Sequence, residues 1–547
     1  MRYAGKEALI IFVGVALLFS AFYGGRELMS YECRNGVFAR EMLLNGPSFF
    51  PTLYGKPYAD YPGTHTFLIC MGYKILGGLG AESLAFPSAL AAALGVALAY
   101  LIGATRSRAW AWAAVIILLG TYGFVSAARM PSPDHFITAI TAASFYLALL
   151  HRERGGLWRV ALMPLLFLVG FALRGPLGVV IPVAAACACY ASEFEWRKGF
   201  SGAFKSLQWG LLVGVLGLLC LVAGLLVLRW GAQLQGGEDF IREAWDAQVG
   251  GRMSAVKGKV FYYYLLDGLP IYALAFPLAL LVSCVLGKKL LDRDNEDMRF
   301  LRALLCWALF VIGGLSIPGT KHLRYILPAI PALALIGAYM FLPGRTEKIF
   351  LKLRGFMGWL CAAAPFAGVL SCVPAFMLVR MHNIVVPYAW LLPLLLLGLA
   401  LIVWRQLKQF WCEEWRQNLW RIAVGVLVFN FINMLAAEPV MSFFERSRPF
   451  VQLAEAKRGP EDKLIFFKCG PDDLDVKYVF NTDKFIIPEF MGADENLAEV
   501  PEAALLIAKK KDFEHTAKDA LAPFIVVAEG KLGRKDCVAF RRGTGKE

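Results

Sequence analysis

Long apolar runs govern what this chain can become. Along the first four fifths of its sequence they recur at about 17 to 25 residues each, enough to cross a hydrocarbon core of about 30 Å as a helix. A backbone inside hydrocarbon must satisfy its own hydrogen bonds, which leaves helices and closed barrels. Barrel strands alternate apolar and polar positions, whereas these runs are continuous, so a polytopic helical membrane protein is expected. Composition agrees: of 547 residues, 58% are hydrophobic and only 18% charged, with 40 Phe and 14 Trp, more apolar surface than a soluble chain of this size buries. Spans are expected near residues 8–24, 84–103, 110–127, 135–151, 159–173, 176–192, 207–229, 261–286, 301–317, 325–343, 356–379, 386–404 and 420–437, about thirteen in all. The first run lacks a clear small-residue cleavage site and is read as an uncleaved span.

Basic residues then assign the sides. The net charge of +14 would suit a nucleic-acid partner, but most Lys and Arg sit in short connections, where anchoring and orientation account for them. ATRSRAW, HRERGGLWR, EFEWRKGFSGAFK, GKKLLDRDNEDMRFLR, GRTEKIFLKLRG and RQLKQFWCEEWRQNLWR fall on the N-terminal side if residues 66–80 do not cross, and that side is then cytoplasmic. TFLICMGYKILGGLG is accordingly expected to lie in the interface. The long outer loops are 25–83 and 230–260, and the transmembrane part is read as 1–437.

Residues 438–547 emerge on the outer face as a small α/β domain. Strands are expected at KLIFFKCG, KYVFNTDKFII, AALLIAKK, FIVVAE and DCVAFRR, between Gly, Asp and Asn turns. Cys469 and Cys537 would share an oxidising compartment there, as a disulfide or as two buried thiols.

With sides assigned, polar residues that are not loop decoration gather on the outer face. They are Glu32, Arg34 and Asp60 in the first outer loop, Arg129 and Asp134 in ARMPSPDHF, Arg174 in RGPLG, Arg252 in the second loop, and Lys321, His322 and Arg324 in PGTKHLRYILP. Arg174 and the Lys321/Arg324 pair depart from the positive-inside pattern, and ionisable groups at a bundle's boundary mark substrate paths. Snorkelling and structural ion pairs are the ordinary alternatives. Arg40 and Glu41 read as the solvated face of an interfacial helix whose apolar face carries Phe38, Met42 and Leu43. A carboxylate beside Arg and Lys suits a lipid phosphate: the cations hold the phosphate and the carboxylate takes a proton from an incoming hydroxyl. A divalent metal between Asp60 and His65 stays open, without an HxxxH or HExxH pattern to support it. The chain has no P-loop and no Rossmann glycine pattern after a strand.

Six motifs in order carry a resemblance. YECRNGVFAREML, GKPYADYPG, FPSALAA, ARMPSPD, RGPLGVVIP and KHLRYILPAIPALAL resemble segments of the GT-C membrane glycosyltransferases that use polyprenyl-phosphate sugars. They lie near the branch of the lipid A aminoarabinose transferases, which is related to the protein O-mannosyltransferases. The resemblance covers most of the chain and implies a multi-pass bacterial inner-membrane enzyme with a cytoplasmic N-terminus and a periplasmic C-terminal domain. It would transfer a sugar from an undecaprenyl-phosphate-type donor to a lipid, glycan or protein acceptor, with inversion. It also implies catalytic roles for Glu32 or Asp60, and substrate contacts for Arg34, Tyr61, Arg129, Asp134, Arg174, Arg252, Lys321, Arg324 and Tyr325. Two positions depart from the family: Tyr31 stands where its favoured Asp base is found, and Asp60-Tyr61-Pro62-Gly63 replaces Glu-Lys-Pro-Pro. A lipid-linked sugar transporter and a glycan ligase or polymerase are the alternatives; a transporter would carry internal repeats, which are not seen here.

Overall fold

The computed structural model describes residues 2–23, 26–60, 62–193, 199–250, 259–407, 414–482, 484–492 and 497–543. The chain is mostly helical. Among the described residues, eight helices are long and apolar enough to cross a membrane, or ten if each of two bent pairs counts as one span; Leu177–Ala191 and Leu391–Gln406 are shorter apolar helices.

The bundle is organised around α4 (Ala81–Ala104), whose Ala, Gly and Ser side chains are mostly buried. Small side chains let backbones approach closely in a membrane, where association rests on packing rather than on hydrophobic transfer. Accordingly α1 (Arg2–Ser20), α5 (Arg108–Leu119) and α7 (Asp134–Arg154) all pack on α4. Gly120 and Thr121 end α5, and the chain bends by 71° into α6 (Tyr122–Ala128), which delivers Arg129 to the bundle interior. A very close backbone approach joins α8 (Leu157–Arg174) to α9 (Leu177–Ala191). A Cβ at Gly170 would stand 2.0 Å from the Gly178 carbonyl oxygen, and one at Gly178 would stand 1.9 Å from that of Gly170. Only glycine fits both positions, and the corner they close is Arg174-Gly175-Pro176.

Ion pairs sort by end. Glu7 pairs with Arg108 (2.5 Å), Arg106 with Glu296 (3.0 Å) and Arg152 with Glu193 (3.4 Å), all from connections expected on the N-terminal side. The Glu7–Arg108 pair also fixes parity: α1 and α4 return the chain to the end where it began, so α3 (Thr64–Leu76) between them does not cross. Its 13 residues extend only about 20 Å, and it packs against α4 and α2 (Ser30–Asn45) at the other end.

The second outer loop begins as helix rather than loop. α10 (Gly199–Trp245) continues beyond the expected end of its span, breaking direction only at Gly237 (φ +70°), and passes into a π turn, Asp246–Gly250. The polar stretch EDFIREAW is a good helix former once a left-handed glycine has turned the chain.

Among the described residues, the C-terminal sheet has five strands. They are β3 (Lys463–Phe467), β4 (Glu489–Met491), β5 (Ala504–Lys509), β6 (Phe524–Leu532) and β7 (Lys535–Arg542), counting the small hairpin β1 (Thr52–Leu53) and β2 (Lys56–Pro57) first. Their order is β4-β3-β5-β7-β6, with β3 parallel to β4 and β5, and β7 antiparallel to β5 and β6. β3 and β5 read as unbroken apolar runs because they are central strands covered on both faces. One expected strand is wrong: KYVFNTDKFII gives a helix at Asp475–Phe480. Asp475 holds the turn before it by accepting the backbone N–H groups of Asp472 and Asp473. Arg40 of α2 donates to the carbonyls of Val479 (3.0 Å) and Phe480 (2.9 Å) at its other end. Period alone cannot type so short an apolar run. Cys469 and Cys537 are two buried free thiols, and burial pushes the Cys537 thiol up to about 12.

α2 is not the solvated interfacial helix that its charges suggest. Glu41 is fully buried and accepts the N–H groups of Tyr54 and Gly55, while Arg40 reaches into the sheet domain. Both charges join α2 to its neighbours instead of facing water.

Candidate active site

Three connections distant in sequence meet at the sheet end of the bundle. Asp134 opens α7, where a helix N-terminus favours a carboxylate. Arg174 closes α8, and its Nη2 lies 2.9 Å from Asp134 Oδ1, with both side chains almost dry at 2% and 3% exposure. Arg324, from the turn before Ile330–Ala338, brings Nε to 3.6 Å from Asp134 Oδ2. The Ser132 hydroxyl also donates to that oxygen. The Arg174 guanidinium stacks over the Tyr325 ring at 5.1 Å, and Arg324 lies over Tyr31 at 5.7 Å. Lys321 is buried, its ammonium donating to the Lys259 carbonyl (2.9 Å). His322 meets Tyr325 edge-on; partial burial and then Arg324, Lys259 and Arg174 hold its imidazole below the usual range.

α2 forms the adjoining wall. Glu32 is fully buried, accepting from Arg26 Nη2 (2.6 Å) and from the Met29 N–H (2.7 Å), so it both pairs a cation and caps its own helix. Burial pushes its carboxyl above the usual range, against the pull of Arg26. Tyr31 donates to Met130 Sδ (2.6 Å), and burial together with Glu32 pushes its phenol further up. Arg129 is held by Glu438 (2.8 Å), by the carbonyls of Phe19 (3.0 Å) and Ala21 (2.7 Å), and by the Tyr23 ring face at 4.2 Å. Its partners therefore come from the end of α1 and from the helix Glu438–Phe444 that follows the last apolar helix.

Arg34 faces the sheet domain, donating to Tyr58 (2.8 Å) and pairing with Asp472. Asp60 lies in the same field: its charge acts on Arg34 and on the Tyr58 phenol. Its backbone is held from above by Gln248. His65, at the start of α3, is buried edge-on to Phe136, and burial pushes its pKa down to about 4. Tyr61 and Arg252 lie outside the described residues. Among the described residues, no three His, Cys, Asp or Glu side chains gather as metal ligands. Beside Pro62 and Gly63, between the start of α3, α8 and α10, runs an apolar cleft of 560 Å³ lined by Phe49, Phe67, Phe171 and Val227 among others.

Of the residues that sequence reasoning placed on the outer face, Arg174, Asp134 and Arg324 lie against one another. That reasoning missed Arg26, Glu438, Gln248 and Asp472. Arg26 was within reach of the same test, being a cation just past the first span on the outer side. Glu438 was a lone carboxylate at the end of the last apolar run, and its partner lies 309 positions away.

The arrangement of the helical bundle and of the small sheet at its C-terminal end is similar in fold to that of solved structures. The particular likeness is to ArnT from Cupriavidus metallidurans, in the crystal structure bound to undecaprenyl phosphate: TM-score 0.68, 18% identity, 97% of each chain covered. In sequence, the chain is 28% identical over 389 residues to the undecaprenyl phosphate-alpha-4-amino-4-deoxy-L-arabinose arabinosyl transferase of Pectobacterium carotovorum, covering 68% of this chain and 64% of that one. It is 25% identical over 518 residues to an uncharacterised protein of Aquifex aeolicus, covering 93% and 92% of the two. The chain thus spans just under two thirds of the length of the arabinosyl transferase it matches. No family model matches it.

Proposed function

We propose that this chain is an integral membrane glycosyltransferase of the bacterial inner membrane. It moves a sugar from an undecaprenyl-phosphate-linked donor to a lipid, glycan or protein acceptor on the periplasmic face. The observation that carries the reading is the convergence of Arg174, Asp134 and Arg324 beside an apolar cleft and the Asp60 loop, within a fold like that of a protein whose structure holds undecaprenyl phosphate. A helix or bent pair at each of the thirteen apolar runs supports a thirteen-span chain, and the Lys- and Arg-rich short connections support a cytoplasmic N-terminus, which with an odd number of spans puts the sheet on the periplasmic side.

The cleft takes the proximal part of the isoprenoid chain, and Arg174 and Arg324 meet the phosphate, with Lys321 and Tyr325 completing the wall. Asp134 holds the two guanidinium groups in place. Asp60 accepts the proton of the acceptor hydroxyl as that oxygen attacks the anomeric carbon. The bond from that carbon to the phosphate oxygen breaks, its electron pair leaves with the phosphate, and single displacement inverts the carbon. Cations holding the departing phosphate make a general acid unnecessary. Glu32, Arg129 and Arg34 are held by Arg26, Glu438 and Asp472, and their roles are to fix the walls. Glycolipid and glycoprotein mass spectrometry of cells with and without the gene tests the reading. A sugar mass that depends on the gene, and disappears with Asp60→Asn or Arg174→Ala, is expected; identical spectra in the two strains would overturn it.

A further inference from the structure

Gln248 sits in the π turn after α10, far in sequence from both Asp60 and Arg174. Its side chain is 3% exposed, and its amide nitrogen donates to two successive backbone carbonyls, Ala59 (3.0 Å) and Asp60. On the other side its amide oxygen packs against Gly175, where a Cβ would stand only 2.7 Å away. Gly175 has φ +60° and follows Arg174 directly. One amide therefore spans from the backbone of the Asp60 turn to the backbone of the Arg174 corner.

We propose that Gln248 is a positioning residue that sets the distance between Asp60 and Arg174. The chemistry suits the task. Gripping a turn by its backbone carbonyls fixes the turn without using the side chain that it carries. Two carbonyls in succession need two N–H donors from one planar group, which Asn or Gln supplies and Glu does not. A chain turning at Gly237 and widening into a π turn places Gln248 against the first outer loop at Ala59 and Asp60, and such bulges commonly occur at functional sites. The same contact explains the glycine after Arg174: alanine there would meet the Gln248 oxygen and would also strain a left-handed backbone. This role rests on the transferase reading for its effect on chemistry, but its effect on the loop does not.

The test uses the full chain in detergent and in cells. Gln248→Glu keeps the size of the side chain and removes both donors; Gly175→Ala disturbs the same contact from the opposite side. Hydrogen exchange should rise in the peptide covering residues 52–63 for both variants, while peptides from α4 and α7 exchange as in wild type. For Gln248→Glu the affinity for undecaprenyl phosphate should stay within about twofold while the sugar-bearing product falls at least about tenfold, a split that general misfolding would not give. Wild-type exchange in residues 52–63 for both variants, or product at wild-type levels, would overturn the role. Absence of product from the wild type itself would overturn the transferase reading, and the exchange measurement would still decide whether Gln248 holds the turn.

Discussion

Arg174 and Asp134 form a nearly dry ion pair, 2.9 Å apart, between the last residue of α8 and the first of α7. Removing one member of a buried pair leaves the other charge without compensation, at a cost of about 3 to 5 kcal/mol, whereas replacing both with apolar residues of similar size is often near neutral. Arg174→Met and Asp134→Leu should each lower the detergent melting temperature, and the double variant should recover most of the loss. None of the three should transfer sugar. A double variant that restores transfer along with stability would confine the pair to architecture.

Tyr31 stands where the sequence resemblance leads one to expect a base, and its phenol is both buried and bonded to Met130. Burial pushes its pKa up, which makes it a poorer proton acceptor still. Tyr31→Phe should therefore keep transfer within about threefold, while Asp60→Asn should lose about 10²- to 10⁴-fold, the usual contribution of a general base. The opposite pattern would return the chemistry to position 31 or its neighbour Glu32. Product measured by mass spectrometry at matched expression distinguishes them.

The helix Asp475–Phe480 is capped by a cation from α2, far from it in sequence. Arg40 donates to Val479 and Phe480 at its C-terminal end and lies over the Phe480 ring at 5.7 Å. Charged hydrogen bonds of this kind contribute about 1.5 to 3 kcal/mol each when removal strands a partner. Arg40→Met should raise hydrogen exchange across residues 475–482 and leave the central strands β3 and β5 protected. Equal protection in variant and wild type would show that packing alone holds the helix.

These residues also show what could be read from the sequence and what could not. The apolar helices were legible because hydrophobic length acts one residue at a time, and the cations at 174, 321 and 324 stood out because they depart from the expected loop-charge pattern. Arg40 and Glu41 were misread because an amphipathic pattern says which face is polar and not what covers it. Here the sheet domain and the 52–57 hairpin cover it. The strand expected at 477–487 failed for a related reason: six apolar and mixed residues fit either period, and the choice was made by Asp475 and by a guanidinium more than 400 positions away. Gln248 gave no signal at all, since a lone amide between charged residues of a loop is ordinary until its carbonyl partners are known.

His65 gives the site an acid limit. Burial pushes its pKa down to about 4, against about 6.5 for an exposed imidazole. The unfolded chain therefore takes up this proton at a higher pH than the folded one. Its stability contribution is complete above about pH 6.5 and is lost as pH falls towards about 4, at up to about 1.4 kcal/mol for each pH unit within that window. His65→Leu keeps an apolar side chain against Phe136 and removes the titration. Melting temperatures measured from pH 7.5 to 4.5 should fall less steeply for this variant than for wild type, with the curves separating below about pH 6.5. Parallel curves across the range would mean that the imidazole is already protonated in the folded chain, held by Asp134 against the repulsion of Arg174, and that the α3 end of the site is wetter than its packing implies.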